Sequence, residues 1–334
     1  MNRDVNLSVV LASDILVPLP ALAARAEGAG LHRVWNTEFE GRDAVIRSLA
    51  LGMSSTRLAV GSGIAYAFTR KPMALAAAAL DVQELTGGRF TLGLGSGTRG
   101  LRASFAAQEF EPPSTRLTEV VTELRETWSK ESWTRSVPPP PIAIGGVNEI
   151  MLRDAAHFGD RVVFHPLCLV EHHLHERVLP AIEAGRARRT AEDDVRLSAW
   201  CIASVDDDAE LARARAKRQL AFYLSTPGYR PVVEGTPHEA RVADLRDRFK
   251  AGDSTLDELA DLVPDEILEQ VSISGTPADV RDAVTRRATH LQTVGIDELV
   301  LQTVSAGEDE LRTIEGLIDA LAPLVSFEPL PPGA

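Results

Sequence analysis

Only two cysteines, Cys168 and Cys201, occur in 334 residues, too few for a disulfide framework and in keeping with a reducing, cytoplasmic setting. Aromatic residues are scarce at 5%, so aliphatic side chains must fill most of the core. Long apolar runs are missing: no segment approaches the ~20 apolar residues of a membrane helix. The run Val5 to Ala12 stops at Asp14 without the basic flank or cleavage site of an export signal, so neither a membrane span nor export is expected. Positive charge is short as well. A net charge of −13 argues against a nucleic-acid partner, because phosphate backbones are bound by clustered Lys and Arg.

What is present is an ordinary 44% of hydrophobic residues, enough at this length to bury a large core. Apolar runs that read as strands alternate with amphipathic segments. Strands are expected at Val5 to Leu11, Leu31 to Asn36, Arg57 to Gly63, Phe90 to Gly95, Ile142 to Gly145, Arg161 to Phe164, Val195 to Ala203 and Asp297 to Thr303. Helices fall between them: Pro20 to Gly28, Arg42 to Met53, one opened by Pro72 and ended by Thr86-Gly87-Gly88, one capped by Ser114 and running through Lys130, Asn148 to Phe158, Val170 to Arg189 with an early kink or break at Pro180, Asp206 to Tyr223, and Asp309 to Leu324. Eight alternating units with near-continuous apolar strands predict an α/β fold, a parallel (β/α)8 barrel. The expected organisation is one barrel domain over residues 1–327, a helical insertion at 225–268 and a flexible tail at 328–334.

The stretch Arg57 to Gly97 is a βαβ unit in which both strands end in glycine, Gly61-Ser62-Gly63 and Gly95-Ser96-Gly97. Ligands of parallel α/β sheets bind at strand carboxyl ends, and glycine there lets a flat ligand approach the backbone. Packing alone does not readily account for glycine at both ends. Gly95 to Gly100 also matches G-x-G-x-x-G, but the proline-broken acidic loop Glu109 to Pro113 occupies the place where a dinucleotide fold needs a helix and a second strand. Gly145-Gly146-Val147-Asn148 ends a strand and opens a helix, either an anion cradle of backbone N–H groups or a tight turn needing φ above zero.

These pieces resemble the luciferase-like monooxygenase superfamily of flavin- and deazaflavin-dependent barrels, whose glycine-ended third strand is followed by R-x-P and GR-F-x-LGLG-x-G. Here they read Gly61-Ser62-Gly63-Ile64, Arg70-Lys71-Pro72 and Gly88-Arg89-Phe90-Thr91-Leu92-Gly93-Leu94-Gly95-Ser96-Gly97. Ala26-Glu27-Gly28-Ala29-Gly30 before Val34-Trp35, Ile144-Gly145-Gly146, and Gly275-Thr276-Pro277 before Gly295-Ile296-Asp297 extend the likeness over most of the chain. The resemblance implies hydride transfer between coenzyme F420 and a small organic substrate. FMN-dependent monooxygenation is the alternative reaction, and a non-catalytic cofactor-binding barrel is the alternative of another class. Ser62, Gly63, Ile64, Gly97, Thr98 and Gly145 to Asn148 (Gly145, Gly146, Val147, Asn148) are then the cofactor-binding candidates, with the phosphate near Gly146 and a cis peptide between Gly63 and Ile64. Sugar-phosphate dehydrogenases of the family carry a glutamate where this chain has Thr98 or Arg99, which speaks against their chemistry here.

Glu38, just past the second strand, and His165, ending the sixth, are the catalytic candidates. Glu38 stands where a barrel places a side chain over its mouth, with a surface pair to Arg42 as the plain alternative. His165 could donate to a substrate oxygen or titrate near neutrality, against a purely structural role. The run Glu171-His172-His173-Leu174-His175-Glu176 scatters its side chains around a helix, so no metal site is expected. The expected partner is a small molecule, with homo-oligomerisation left open.

Overall fold

The computed structural model describes residues 5–12, 16–98, 112–191, 193–304 and 307–325. Arg99, Gly100, the start of the acidic loop and the tail from residue 328 lie outside the described residues. The strands are β1 (Asn6–Val10), β2 (Arg33–Asn36), β3 (Ala59–Ser62), β4 (Ala65–Tyr66), β5 (Phe90–Gly95), β6 (Ile142–Gly146), β7 (Arg161–Phe164), β8 (Arg196–Val205), β9 (Ser272–Gly275) and β10 (Glu298–Thr303). β1, β2, β3, β5, β6, β7, β8 and β10 pair in parallel in that order, and β10 closes the ring by pairing with both β8 and β1. The closing registers run from Asn6 opposite Glu298 to Val10 opposite Gln302, and from Glu298 opposite Ser198 to Thr303 opposite Ala203. All eight expected strands are present, and the (β/α)8 barrel follows from them. The peptide between Gly63 and Ile64 is cis.

Two short strands were not expected. β4 pairs with the end of β5. β9 pairs with Ile202 to Val205 of β8, beyond the point where β7 has ended at Phe164 opposite Ala199. β8 is longer than its neighbour, and β9 covers the edge left unpaired, as exposed ladder groups require. A capping box, Thr276 with Asp279, then starts the helix Pro277–Thr293.

Two helix expectations need correction. Ser114 does not cap its helix; the helix spans Pro113–Trp128, and the Ser114 hydroxyl donates to Asp154 at 2.6 Å. The expected kink or break at Pro180 is a π turn, Leu174–Val178, leading into the helix Leu179–Arg186. Proline has no N–H to give the preceding turn, so the hydrogen-bond ladder widens there without ending the helical path. The segment 225–268 does hold short helices, Pro227–Val232, Glu239–Ala251, Leu256–Ala260 and Asp265–Val271. Arg213 and Lys217 of the helix Ala209–Ser225 bind the segment through Asp265, each at 2.8 Å.

Alternation along the strands fills the barrel interior in layers. The lower layer is polar. Glu298 of β10, fully buried, accepts from Ser8 at 2.5 Å, Ser198 at 2.6 Å and the Trp35 indole at 3.1 Å. Arg161 and Arg33 reach the same carboxylate at 2.9 Å and 3.3 Å. Burial works against its charge, but Arg33 and Arg161 win and hold the carboxyl well below the usual range. Burial pushes Arg33 down to about 10, which still leaves it charged at neutral pH. The middle layer is apolar: Val10, Trp35, Ala143, Val163, Trp200 and Val300.

Glu298→Gln keeps the shape but leaves two guanidinium groups without a countercharge, so it should destabilise the fold by about 3–5 kcal/mol. Urea unfolding at pH 7 measures this. Because the folded carboxyl lies below its unfolded value of about 4.3, the stabilisation is complete above that pH and shrinks as pH falls below it. The gap between wild type and variant should narrow on acidification; equal midpoints at pH 7 would contradict the prediction.

Candidate functional site

The carboxyl ends of the strands bring Glu38, Gly63, Ile64, Gly97, Gly145 to Asn148 and His165 to one face of the barrel. Beneath this face Trp35 and Trp200 meet at 6.3 Å between ring centroids, inclined at 59°. Their bulk explains glycines that the sequence alone left open. A Cβ at Gly61 would lie 2.6 Å from the Trp35 ring, and one at Gly63 would overlap Trp200. At Gly93 it would overlap the Ser62 carbonyl. Contrary to expectation, packing does account for these glycines: two indoles need the space at Gly61 and Gly63, and the β3 backbone needs it at Gly93.

Higher up, the vacated space belongs to Ile64. A Cβ at Gly95 would stand 2.7 Å from its Cδ1, and one at Gly145 2.9 Å from its Cγ2. The bare backbone of β5 and β6 is therefore covered, and any flat ligand on this side meets Ile64 instead of glycine. Ser62 is buried, and its hydroxyl donates to the Gly93 carbonyl at 2.9 Å and accepts the Gly93 N–H at 2.8 Å. It staples β3 to β5 where their register ends. Gly97 adopts a positive φ of 65°, and Thr98 beside it is exposed.

Gly145 and Gly146 both have negative or extended backbones, so the turn does not use glycine for a positive φ. Gly146 instead lets the helix Glu149–Phe158 close in, since a Cβ would lie 3.0 Å from Met151. Asn148 caps that helix by accepting the Met151 N–H at 3.4 Å. The Val147 carbonyl accepts from His173 at 3.0 Å, which turns one histidine of the 171–176 run inward.

Glu38 is paired, but with Arg70 and not with Arg42. Arg70 reaches it at 2.9 Å and binds Asp43 at 2.5 Å, while Tyr66 N–H donates to Glu38 at 3.1 Å. Arg42 instead donates to the Ala12 carbonyl at 2.6 Å. Burial pushes the Glu38 carboxyl above its usual range, with Arg70 and Tyr66 N–H opposing and Asp43 adding to the rise. An open pocket of about 380 Å³ lies beside this group, lined among others by Glu38, Phe39, Tyr66 and Arg70. Arg70 is the arginine of R-x-P; no spacing in the sequence marks it as the partner of Glu38.

His165 follows β7 and packs against Tyr223 at 4.4 Å and Tyr229 at 4.7 Å between ring centroids. Its Nδ1 accepts the Leu167 N–H at 3.3 Å. Burial pushes the imidazole down to about 3, so His165 is neutral at physiological pH; titration near neutrality is not what its surroundings support. Gln302 of β10 donates to the Tyr223 hydroxyl. Trp200 Nε1 and Asn36 Oδ1 are among the buried polar atoms that have no hydrogen-bond partner among the described residues. The sequence reading missed the three tyrosines, Gln302, Trp200 and Arg70. Scarcity was the one available signal, since all three tyrosines of the chain, Tyr66, Tyr223 and Tyr229, stand at this mouth.

Residues 13–293 match the family model of the luciferase-like monooxygenases, and the chain belongs to that family. It is 28% identical to an uncharacterized protein of Mycobacterium tuberculosis, over 86% of this chain and 90% of that one. A putative coenzyme F420-dependent oxidoreductase of the same organism is 25% identical, with 89% and 93% covered. Among solved structures, the coenzyme F420 dependent tetrahydromethanopterin reductase from Methanopyrus kandleri superposes with a TM-score of 0.75 at 18% identity, covering 96% of this chain and 98% of that one. A monooxygenase from Streptomyces bottropensis gives 0.66 at 17% identity, with 96% and 99% covered. No helix among the described residues is long and apolar enough to cross a membrane.

Removing the guanidinium opposite Glu38 leaves the effect of burial unopposed. Arg70→Gln should raise the Glu38 pKa further, by about 1 unit or more. Carboxyl-carbon NMR titration of the two proteins reads this directly, and coincident Glu38 curves would mean that the pair does not form in solution.

Proposed function

We propose that this chain is an oxidoreductase that transfers a hydride between coenzyme F420 and a small organic substrate at the mouth of its barrel. The observation that carries this reading is the division of the mouth into two unlike halves. At the ends of β5 and β6 the inward positions are Gly95 and Gly145, covered by Ile64 from the end of β3, a low apolar platform suited to one face of a flat ring. On β7 and β10 they are His165 and Gln302, which stand up around it. The Trp200 ring lies against Gly63 beneath this platform and gives it a rigid apolar base. The likeness to an F420-dependent oxidoreductase supports the choice of cofactor.

In this reading Ile64, held between Gly95 and Gly145, supports the ring, while Ser62 and Gly63 fix the position of Ile64. Backbone N–H groups of Gly146, Val147 and Asn148 face the phosphate end, and Gly97 with Thr98 borders the ring. Bound F420 supplies the hydride chemistry. Glu38 holds or releases a proton at its carboxylate, and Arg70 with Tyr66 N–H sets how readily it does so.

Titration of the purified chain with F420 and with FMN, followed by ring absorbance and fluorescence, tests the assignment. Tighter binding of F420 is expected. Preference for FMN with oxygen consumed in turnover would make the chain a monooxygenase, and binding without turnover would leave a cofactor carrier. Glu38→Gln should lower turnover by about a hundredfold or more while changing cofactor affinity little. Unchanged turnover with cofactor bound would remove Glu38 from the chemistry.

A further inference from the structure

The side of the mouth opposite the glycines carries a second specific feature. Arg161 and Val163 of β7 point into the barrel, so by alternation His165 faces its axis one layer higher. Glu298 and Val300 place Gln302 in the same way on β10. The helix Ala209–Ser225 and the turn Pro227–Val232 bring Tyr223 and Tyr229 against the His165 ring. All four side chains are partly exposed.

Accounting for hydrogens shows what this group offers. The Nδ1 of His165 is used as an acceptor by the Leu167 N–H, so in the neutral ring the proton sits on Nε2. Tyr223 oxygen already accepts from Gln302, and a phenol carries an O–H of its own to give. Tyr229 carries another O–H against the same ring. Burial keeps both phenols protonated, raising Tyr223 to about 12 and Tyr229 further. These are neutral donors between aromatic walls, and burial alone perturbs His165, with no charged neighbour contributing.

We propose that His165, Tyr223 and Tyr229, buttressed by Gln302, form the substrate-oxygen site, and that it takes an uncharged carbonyl compound or the matching alcohol on an apolar body. Donors without a cation solvate a neutral carbonyl oxygen well. They do not repay the desolvation of a carboxylate or phosphate. The ends of β7 and β10, with the helix Ala209–Ser225 and the turn Pro227–Val232 packed against them, thereby set substrate class, while the β3, β5 and β6 side holds the cofactor. The assignment of this oxygen as substrate rests on the oxidoreductase reading; the binding preference does not.

Acetophenone and benzoate share a ring and differ in the head group, so their binding to the full-length protein tests the site. Carbonyl-13C acetophenone is followed by NMR, where donation to the oxygen shifts the carbonyl resonance downfield. Acetophenone should bind about tenfold or more tighter than benzoate. His165→Phe and Tyr223→Phe should each cost about fivefold or more in its affinity and move the bound resonance back, whereas His165→Gln, which keeps a donor, should restore both. Thermal unfolding and F420 titration of each variant check fold and cofactor binding. Equal or tighter binding of benzoate, or a bound resonance that none of the variants moves in properly folded protein, would overturn the proposal. Acetophenone binding as expected in a protein that binds neither F420 nor FMN would uphold the site and remove the oxidoreductase reading.

Discussion

The carboxylate of Glu298 organises the barrel interior from below. It gathers a serine from β1, an arginine from β2, an arginine from β7 and a serine from β8, so five strands of the ring converge on one residue. The Trp35 indole N–H binds the same group and is thereby fixed in the layer above. From that tie the rest follows upward. Trp35 and Trp200 fill the middle, the facing strand must be glycine at Gly61 and Gly63, and the mouth above becomes low on one side and tall on the other. A buried ion group of this kind is weak evidence for net stability, since its members lose hydration. Its value here is positional: it sets which side chain stands where.

The barrel itself was legible because strands buried on both faces write continuous apolar runs, and all eight appear near the expected bounds. β9 was not. Its four residues, Ser-Ile-Ser-Gly, carry no pattern, and only the overhang of β8 past β7 gives them a partner. The glycine ends were seen but read toward a ligand, because a sequence does not state which large residue from a distant strand will claim the space. Trp35 and Trp200 are 165 positions apart in number but share one layer.

At the mouth, chemistry-bearing residues were found where they end a strand, as Glu38 and His165 do, and missed where they arrive from elsewhere. Arg70 reaches Glu38 from the loop after β4, and Tyr223 and Tyr229 come from the helices after β8. The neutral state of His165 was equally unreadable. It depends on burial by those tyrosines and not on its neighbours in the chain. Two unlike halves thus have two origins: the glycine side is built by short-range motifs of the first half of the chain, the donor side by long-range packing of the second.

The central claim is that one flat cofactor lies on Ile64 with its other face toward the donor side. Nuclear Overhauser contacts between the aromatic protons of oxidised F420 and methyl-labelled isoleucines in the bound state test it most directly. Contacts from ring protons to the Ile64 δ1 methyl are predicted, and they should vanish in Ile64→Val, which lacks that methyl. Bound F420 whose ring protons contact no Ile64 methyl, or contact only the tyrosines, would contradict the claim.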